Sequence, residues 1–137
     1  MTIYEKIKSL NLPLGKYVVL AGSALEGYGI RKAGDIDIAV TSDIYRKLKD
    51  AGWEEIVKPS GIKVLRNEEF EVGKDNWCYG DYVTSLEYLI RGATIIEEVP
   101  FVALEEIVKF KTAFNREKDR KDIELIKDYI KKEKNVI

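Results

Sequence analysis

One stretch, residues 17–40, constrains the fold of this chain more than any other, and it reads YVVLAGSALEGYGIRKAGDIDIAV. Residues 17–21 form a short apolar run rich in β-branched side chains, which predicts a buried strand. Residues 35–40 begin with strict alternation of acidic and apolar side chains, which predicts a second strand. Because side chains alternate along a strand, Asp35 and Asp37 share one face while the isoleucines point to the core.

The pattern indicates two kinds of chemistry. Gly22 and Ser23 allow a tight backbone turn and present amide groups and a hydroxyl that can meet an anion. Asp35 and Asp37 lie about 7 Å apart at Cα along one strand face, where two carboxylates can share a hard divalent cation such as Mg²⁺. Taken singly, Asp-Ile-Asp is also typical of a half-exposed strand, and Gly-Ser of an ordinary turn.

The whole combination is an apolar strand, Gly-Ser, a short spacer and Asp-Ile-Asp-Ile. It resembles the nucleotidyltransferase superfamily, the fold shared by polymerase beta, aminoglycoside and lincosamide nucleotidyltransferases and small toxin–antitoxin nucleotidyltransferases. The residues that carry the resemblance are Gly22, Ser23, Arg31, Asp35 and Asp37.

The resemblance covers most of the chain, strongly over residues 18–40 and more weakly over residues 102–130. It implies an α/β fold (α+β in some schemes), in which helices pack on a mixed β-sheet and the aspartate strand lies near the sheet centre. A length of 137 residues fits one domain. We therefore expect residues 1–137 to form a single nucleotidyltransferase-like domain, with residues 103–137 as a C-terminal helical pair.

A third carboxylate is expected on a neighbouring strand. Residues 62–66 and 69–72 predict a β-hairpin, and Glu69 and Glu71 share a face of its second strand. The family pattern places an acidic residue near the end of such a strand, which Glu71 fits better than Glu69. In that role Glu71 binds metal and accepts the proton of an acceptor hydroxyl. The alternative is a solvent-facing glutamate on an edge strand.

Two cations complete the expected site. Arg31 stands where related sequences often carry an arginine before the aspartates, which implies contact with nucleotide phosphate or with the carboxylates. The alternative is a solvated loop residue.

Lys111 lies near the centre of an apolar stripe on a helix predicted over residues 104–114. The stripe consists of Leu104, Ile107, Val108 and Phe114. The Lys111 ammonium is directed at carboxylates or nucleotide phosphates, or else its stem packs while its head reaches water.

The likeness to small nucleotidyltransferases continues after this helix. Their Arg-x-Lys-Asp-x-x-Asp pattern is matched by Arg116, Lys118, Asp119 and Asp122. In such proteins this segment mainly joins the last helices and braces the site. Asp119 is also a suitable N-cap for a final helix that extends to about residue 132.

The remaining segments have simpler patterns. Helices are predicted over residues 2–10, 23–28, 44–51 and 86–91. Residues 53–57 are expected to be extended, a strand is predicted over residues 94–96, and residues 97–102 are expected to continue as extended chain. Residues 74–82 lack periodicity and predict a loop, with three aromatic side chains that either stack on a base or pack on the domain edge; these are Trp77, Tyr79 and Tyr82.

Composition limits the chemistry further. A net charge of −1 provides no overall positive field to attract nucleic acid, but it is compatible with a local basic groove. The absence of histidine excludes Ser-His and Cys-His catalysis and imidazole-based zinc sites. The single cysteine, Cys78, cannot form an internal disulfide and fits a reducing, cytoplasmic location. Neither a long apolar run nor a signal-peptide pattern is present, so we expect no membrane association.

The resemblance, together with the pattern of carboxylates, implies a Mg²⁺-dependent nucleotidyltransferase that moves a nucleoside monophosphate from a nucleoside triphosphate to an acceptor hydroxyl. The expected ligands of one or two Mg²⁺ ions are Asp35, Asp37 and Glu71. The expected nucleotide-binding residues are Gly22, Ser23, Arg31 and Lys111. The acceptor is a small molecule, an RNA end or a protein side chain, and a second copy or a protein partner could form the other wall of the cleft.

Two alternatives remain open from the sequence. The first is a catalytically weak or inactive nucleotidyltransferase-fold protein that acts as a partner-binding subunit of the toxin–antitoxin type. The second is an unrelated small α/β protein in which the aspartate pair has no function.

Overall fold

The computed structural model describes residues 1–74, 77–79 and 82–135. The strands are β1 Tyr17–Leu20, β2 Ile36–Val40, β3 Glu54–Val57, β4 Lys63–Asn67, β5 Phe70–Gly73, β6 Trp77–Tyr79, β7 Tyr82–Thr84, β8 Thr94–Ile96 and β9 Val99–Phe101. The helices are α1 Ile3–Lys8, α2 Ala21–Gly27, α3 Ser42–Asp50, α4 Leu86–Arg91, α5 Leu104–Phe114 and α6 Glu117–Asn135. None of these helices combines the length and apolar character needed to cross a membrane.

The main sheet has seven strands in the order β3-β4-β5-β2-β1-β9-β8 within the described part of the chain. Strand β2 pairs antiparallel with β1 and parallel with β5, and β1 also pairs parallel with β9. The sheet is therefore mixed, which confirms the predicted α/β class. Strand β2 is its middle strand, as expected for the strand that follows Asp35.

The core lies around the central strands. Val18 and Val19 point to opposite faces of β1 and neither exposes any surface, so both faces of this strand are covered. Phe101 of β9 and Ile126 of α6 are also fully buried. The apolar runs that predicted the strands therefore provide the core, as the hydrophobic effect requires.

Two segments differ from the sequence-based expectation. Instead of a loop, the described residues between 74 and 85 contain the antiparallel pair β6 and β7, while residues 75, 76, 80 and 81 lie outside the described residues. Residues 97–102 do not continue the preceding strand, since β9 folds back antiparallel on β8. The turn is made by Glu97 and Glu98, both with positive φ. A two-residue hairpin turn usually signals itself by glycine or asparagine, and this one has neither.

Close packing at Gly27 leads to a prediction about stability. A Cβ atom at this position of α2 would lie 2.2 Å from Cε1 of the buried Phe101. We expect Gly27→Ala to lower the free energy of unfolding by about 1–3 kcal/mol, because overpacking in a full core outweighs the better helix propensity of alanine.

Urea unfolding followed by circular dichroism measures this difference. Gly34→Ala is the matched control, because nothing lies within 4 Å of a Cβ atom at the exposed Gly34. That variant should remain within about 0.5 kcal/mol of the wild type. Equal stabilities of the two variants would show that Phe101 yields to the added methyl group.

Candidate functional site

The candidate site is built on the paired central strands β2 and β5. Ile36 and Ile38 of β2 are buried, which turns Asp37 towards the other face of the sheet. The parallel register between the strands places Asp37 directly beside Glu71, and neighbouring strands lie about 4.8 Å apart. Asp35 precedes β2 and lines the same cleft. The structure therefore brings Asp35, Asp37 and Glu71 together.

Glu69 takes a different position from Glu71. It precedes β5 and pairs with Lys6 of α1, with 3.2 Å between Nζ and Oε2. Of the two glutamates weighed for the third carboxylate, Glu71 is thus the one paired with the aspartate strand.

Two basic side chains for which the sequence predicted no role, Lys58 and Arg66, form ion pairs with these carboxylates. Lys58 lies 2.8 Å from Glu71, and Arg66 lies 3.3 Å from Glu71 and 3.8 Å from Asp35. Arg66 and Glu71 are register partners in the hairpin of β4 and β5. The predicted hairpin could have revealed this pair, because a short turn sets which residues face each other.

The electrostatics of Asp37 reflect burial and crowding. Burial, followed by the negative charge of Glu71, raises the pKa of Asp37 to about 6, and Asp35 adds to this effect. Lys58 and Arg66 oppose it. At neutral pH the cluster therefore holds repelling carboxylates, an arrangement that attracts further positive charge.

Carboxylate oxygens are the ligands that Mg²⁺ prefers, so the donor set of Asp35, Asp37 and Glu71 fits such an ion in its chemistry. As the side chains stand, no group of three or more acidic, cysteine or histidine residues among the described ones is arranged to hold a metal. Glu71 instead faces Lys58 and Arg66. Coordination by all three carboxylates would thus require Glu71 to turn away from its present partners.

Gly22 and Ser23 lie in the first turn of α2, and not in an open turn before it, because this helix already begins at Ala21. The hydroxyl of Ser23 is fully buried and donates to the carbonyl of Leu20 at 2.6 Å. The same oxygen accepts a hydrogen bond from the backbone N–H of Asp37 at 3.0 Å. Its observed partners are therefore within the protein, and Ser23 ties the end of β1 to the aspartate strand.

Gly22 lines the cleft and leaves space for Arg31. A Cβ atom on Gly22 would lie 3.0 Å from Nη2 of Arg31. The guanidinium forms a bidentate pair with Asp122 of α6, at 2.7 and 2.8 Å. Arg31 therefore contacts a carboxylate, but one outside the group formed by Asp35, Asp37 and Glu71.

Lys111 also points to carboxylates, as the sequence analysis considered. Its Nζ lies 2.9 Å from Asp122 and 3.4 Å from Asp119, and it is almost fully buried. Asp119 in turn binds Arg116 at 2.6 Å. We call these five residues the Asp122 network: Arg31, Lys111, Arg116, Asp119 and Asp122. It links α5 and α6 to the segment beside Gly22.

The role of Asp119 differs from the predicted one. Helix α6 begins at Glu117, so Asp119 lies inside its first turn and is not the N-cap. Its carboxylate accepts from the backbone N–H of Arg116 at 3.1 Å, the reciprocal contact of a capping box. Asp119 is therefore the third residue of the helix, and the helix begins three residues earlier than an N-cap at Asp119 would place it.

A cleft of about 1100 Å³ is lined by the carboxylates Asp35, Asp37 and Glu71 and by Asp122. Besides the carboxylates, it is lined by basic side chains, namely Arg31, Lys58, Lys63, Arg66, Lys74, Lys111, Arg116 and Lys118. The cleft is locally basic although the chain carries a net charge of −1. Anionic ligands are therefore favoured at this surface.

The wall formed by α5 was only partly anticipated. Phe114, expected in the apolar stripe of this helix, is 36% exposed and lines the cleft together with Phe110 and Glu106. Tyr82 lines the same wall and donates to Glu106 at 3.0 Å. Residues 106, 110 and 114 are spaced four apart, which places them on one face of a helix. This spacing could have predicted from the sequence that they share a surface. The side chains of Trp77 and Tyr79, expected to offer stacking surfaces, lie outside the described ones.

Comparisons with protein-family models, with curated proteins and with solved structures yield no match for this chain.

Proposed function

We propose that this chain is a Mg²⁺-dependent nucleotidyltransferase that transfers a nucleoside monophosphate from a nucleoside triphosphate to an acceptor hydroxyl. The observation that carries the proposal is the side-by-side register of Asp37 and Glu71 on the central strands, with Asp35 lining the same basic cleft. Paired carboxylates facing a basic, open cleft suit a reaction between a metal-bound triphosphate and a second substrate.

In this proposal Asp35, Asp37 and Glu71 hold the divalent cation. When bound, Mg²⁺ supplies positive charge that screens the triphosphate and the pyrophosphate leaving group. The acceptor oxygen forms a bond to the α-phosphorus while the bond between that phosphorus and the oxygen bridging to the β-phosphate breaks. Pyrophosphate leaves with that oxygen, and Glu71 takes the proton of the acceptor hydroxyl.

The basic side chains around the carboxylates bind the phosphates in this proposal. When Glu71 turns towards a bound cation, Lys58 and Arg66 both lose their contact with Glu71 and can bind phosphate oxygens. Gly22 brings backbone close to the ligand without a side chain in the way. Ser23 contributes by holding the backbone of Asp37 in place.

Calorimetric titration with ATP, GTP, CTP and UTP, each with and without Mg²⁺, tests this proposal. We expect Mg²⁺-dependent binding by the wild type and at least tenfold weaker binding by Asp35→Asn, since a ligand of the cation is lost. Asp50→Asn is the matched control, because it removes the same charge at the exposed end of α3. Failure of the folded wild type to bind any of the four nucleotides would contradict the proposal.

A second candidate is a nucleotidyltransferase-fold subunit that binds a protein partner without turnover. It is favoured by one observation: Ser23, Arg31 and Lys111 are all engaged by groups of the chain itself. This candidate predicts no nucleotide binding by the isolated protein under the same titration.

A further inference from the structure

We infer that Lys58 and Arg66 exclude a free divalent cation from the carboxylates and admit it only together with a triphosphate. Both basic side chains contact Glu71 in the structure, so a cation gains this ligand only when they leave it. The inference rests on the proposed function, because it concerns the cation and the triphosphate of the same site, and it adds that the binding of one depends on the other.

Glu71 is held by a separate positive charge at each of its two oxygens. Nζ of Lys58 lies 2.8 Å from Oε2, and Nη1 of Arg66 lies 3.3 Å from Oε1. The Glu71 side chain is only 15% exposed, so water screens these contacts less than it screens ion pairs on an open surface. A cation that approaches Glu71 therefore has to displace a positive side chain or bind next to it.

Both basic residues are positioned by the backbone of the hairpins. Arg66 is the register partner of Glu71 in the antiparallel pair of β4 and β5. The N–H of Lys58 donates to the carbonyl of Ile62 at 2.8 Å, and the carbonyl of Lys58 accepts from the N–H of Gly61 at 2.8 Å. These two hydrogen bonds close the turn between β3 and β4. The contacts with Glu71 thus follow from strand pairing and from a closed turn.

This arrangement disfavours a divalent ion that arrives alone. Mg²⁺ gives up its water ligands reluctantly, and at this site it would also have to replace Lys58 or Arg66 at Glu71. The displaced side chain would remain near the ion and repel it, because like charges a few ångströms apart repel. Lys58 and Arg66 therefore lower the affinity of the carboxylates for the free ion.

A triphosphate removes this obstacle because it brings negative charge of its own. Its oxygens can bind Lys58 and Arg66 when these side chains leave Glu71. Glu71 then passes from the two basic side chains to the cation, and every charge in the exchange keeps a partner. The coupling is reciprocal, so the cation raises the affinity for the triphosphate by the same factor as the triphosphate raises the affinity for the cation.

Titration with Mn²⁺ alone, followed by calorimetry, tests the exclusion of the free ion, since Mn²⁺ accepts the same oxygen ligands as Mg²⁺. Lys58→Met should bind Mn²⁺ at least about fivefold more tightly than the wild type, because a positive charge beside Glu71 is removed. Lys58→Arg keeps that charge and should bind Mn²⁺ as weakly as the wild type. Lys58 is the better position to test, because Arg66 also contacts Asp35 at 3.8 Å.

Two controls locate the effect. Lys63→Met removes the same charge from the same cleft, whereas the described partners of Glu71 are Lys58 and Arg66. Its Mn²⁺ affinity should change by less than about twofold, because salt screens more distant charges. Adding Asp35→Asn to Lys58→Met should abolish the gain, since the ion then loses a carboxylate ligand. Thermal unfolding establishes that each variant is folded.

The coupling is measured with inorganic tripolyphosphate as the second probe. For each protein, the affinity for the Mn²⁺–tripolyphosphate complex is divided by the affinity for free Mn²⁺. This ratio should fall at least about threefold in Lys58→Met, because the phosphates lose a charged hydrogen-bond donor. It should be unchanged in Lys58→Arg.

The contrary results are distinct from one another. Unchanged or weaker Mn²⁺ binding by Lys58→Met would overturn the inference and leave the proposed function intact, and so would an equal gain in Lys63→Met or a gain that persists with Asp35→Asn. An unchanged affinity ratio would show that Lys58 does not pass to the phosphates. If the wild type binds no nucleotide, the proposed function fails, and the titrations with Mn²⁺ alone still decide whether Lys58 excludes the free ion.

Discussion

Replacing Lys111 with methionine is expected to lower the free energy of unfolding by about 3–5 kcal/mol at pH 7. Lys111 is only 5% exposed and supplies positive charge to Asp119 and Asp122, which are also buried. Methionine has a similar length but no charge. The substitution therefore leaves two carboxylates inside the protein with fewer partners, and charges buried without compensation are strongly destabilising.

The effect should depend on pH in a defined direction. Burial by itself would raise the pKa of Asp119, but the hydrogen bonds from Arg116 and the charge of Lys111 outweigh it, so the pKa is lowered. The pKa of Asp122 is likewise lowered, because Arg31 and Lys111 outweigh burial. A lowered folded-state pKa contributes stability above the unfolded-state value, and this contribution is lost as the pH falls. The difference between wild type and Lys111→Met should shrink in acid.

Urea unfolding at pH 7 and at lower pH measures both features. Lys121→Met is the control, because Lys121 lies 3.9 Å from Glu117 and both side chains are at least 75% exposed. Exposed pairs of this kind contribute little, so this variant should stay within about 0.5 kcal/mol of the wild type. A loss below about 1 kcal/mol for Lys111→Met would show that the Asp122 network is not an important support of the fold.

Replacing Asp37 with asparagine is expected to have the opposite effect and to stabilise the protein at neutral pH by up to about 3 kcal/mol. Burial and the charge of Glu71 raise the pKa of Asp37 to about 6 from the ordinary value of 3.8. Between these two values the folded state binds more protons than the unfolded state, so stability falls as the pH rises through this window. Asparagine carries no charge and avoids this loss.

Thermal and urea unfolding from pH 4 to pH 8 test the sign. The gain from Asp37→Asn should be small near pH 4 and reach its full size above about pH 6. Asp35→Asn is the control, since the side chain of Asp35 is 58% exposed, and it should change stability by less than 1 kcal/mol throughout. A gain that does not vary with pH would contradict the electrostatic explanation. A carboxylate that lowers stability at neutral pH is typical of functional sites.

Local patterns predicted individual elements well. Helix α5 occupies the predicted residues 104–114, and α4 occupies the predicted residues 86–91. Ser85 caps α4, since its side chain accepts from the N–H of Tyr88. Thr2 caps α1 through a capping box. Periodicity and capping depend on residues a few positions apart, so the sequence contains them in full.

Contacts between distant residues were harder to predict. The hairpin turn at Glu97 and Glu98 lacks the usual turn residues, and the pair β6 and β7 has no clear alternation. The burial of the Ser23 hydroxyl depends on how α2 follows β1, and the exposure of Phe114 depends on where the cleft opens. None of these features follows from spacing along one element.

By itself the sequence determined that Asp37 faces away from the buried Ile36 and Ile38, because strand geometry alternates side chains within one segment. Asp35 was expected on the same strand face, but it lies just before β2. The sequence also supplied the acidic and basic residue types from which the cleft is made. Only the tertiary structure decided that Glu71 stands beside Asp37 under the charge of Lys58 and Arg66. In the same way it decided that Asp122 joins Arg31 to Lys111. The physical reason is that strand order and helix packing join residues far apart in the chain, and these choices minimise the free energy of the whole domain.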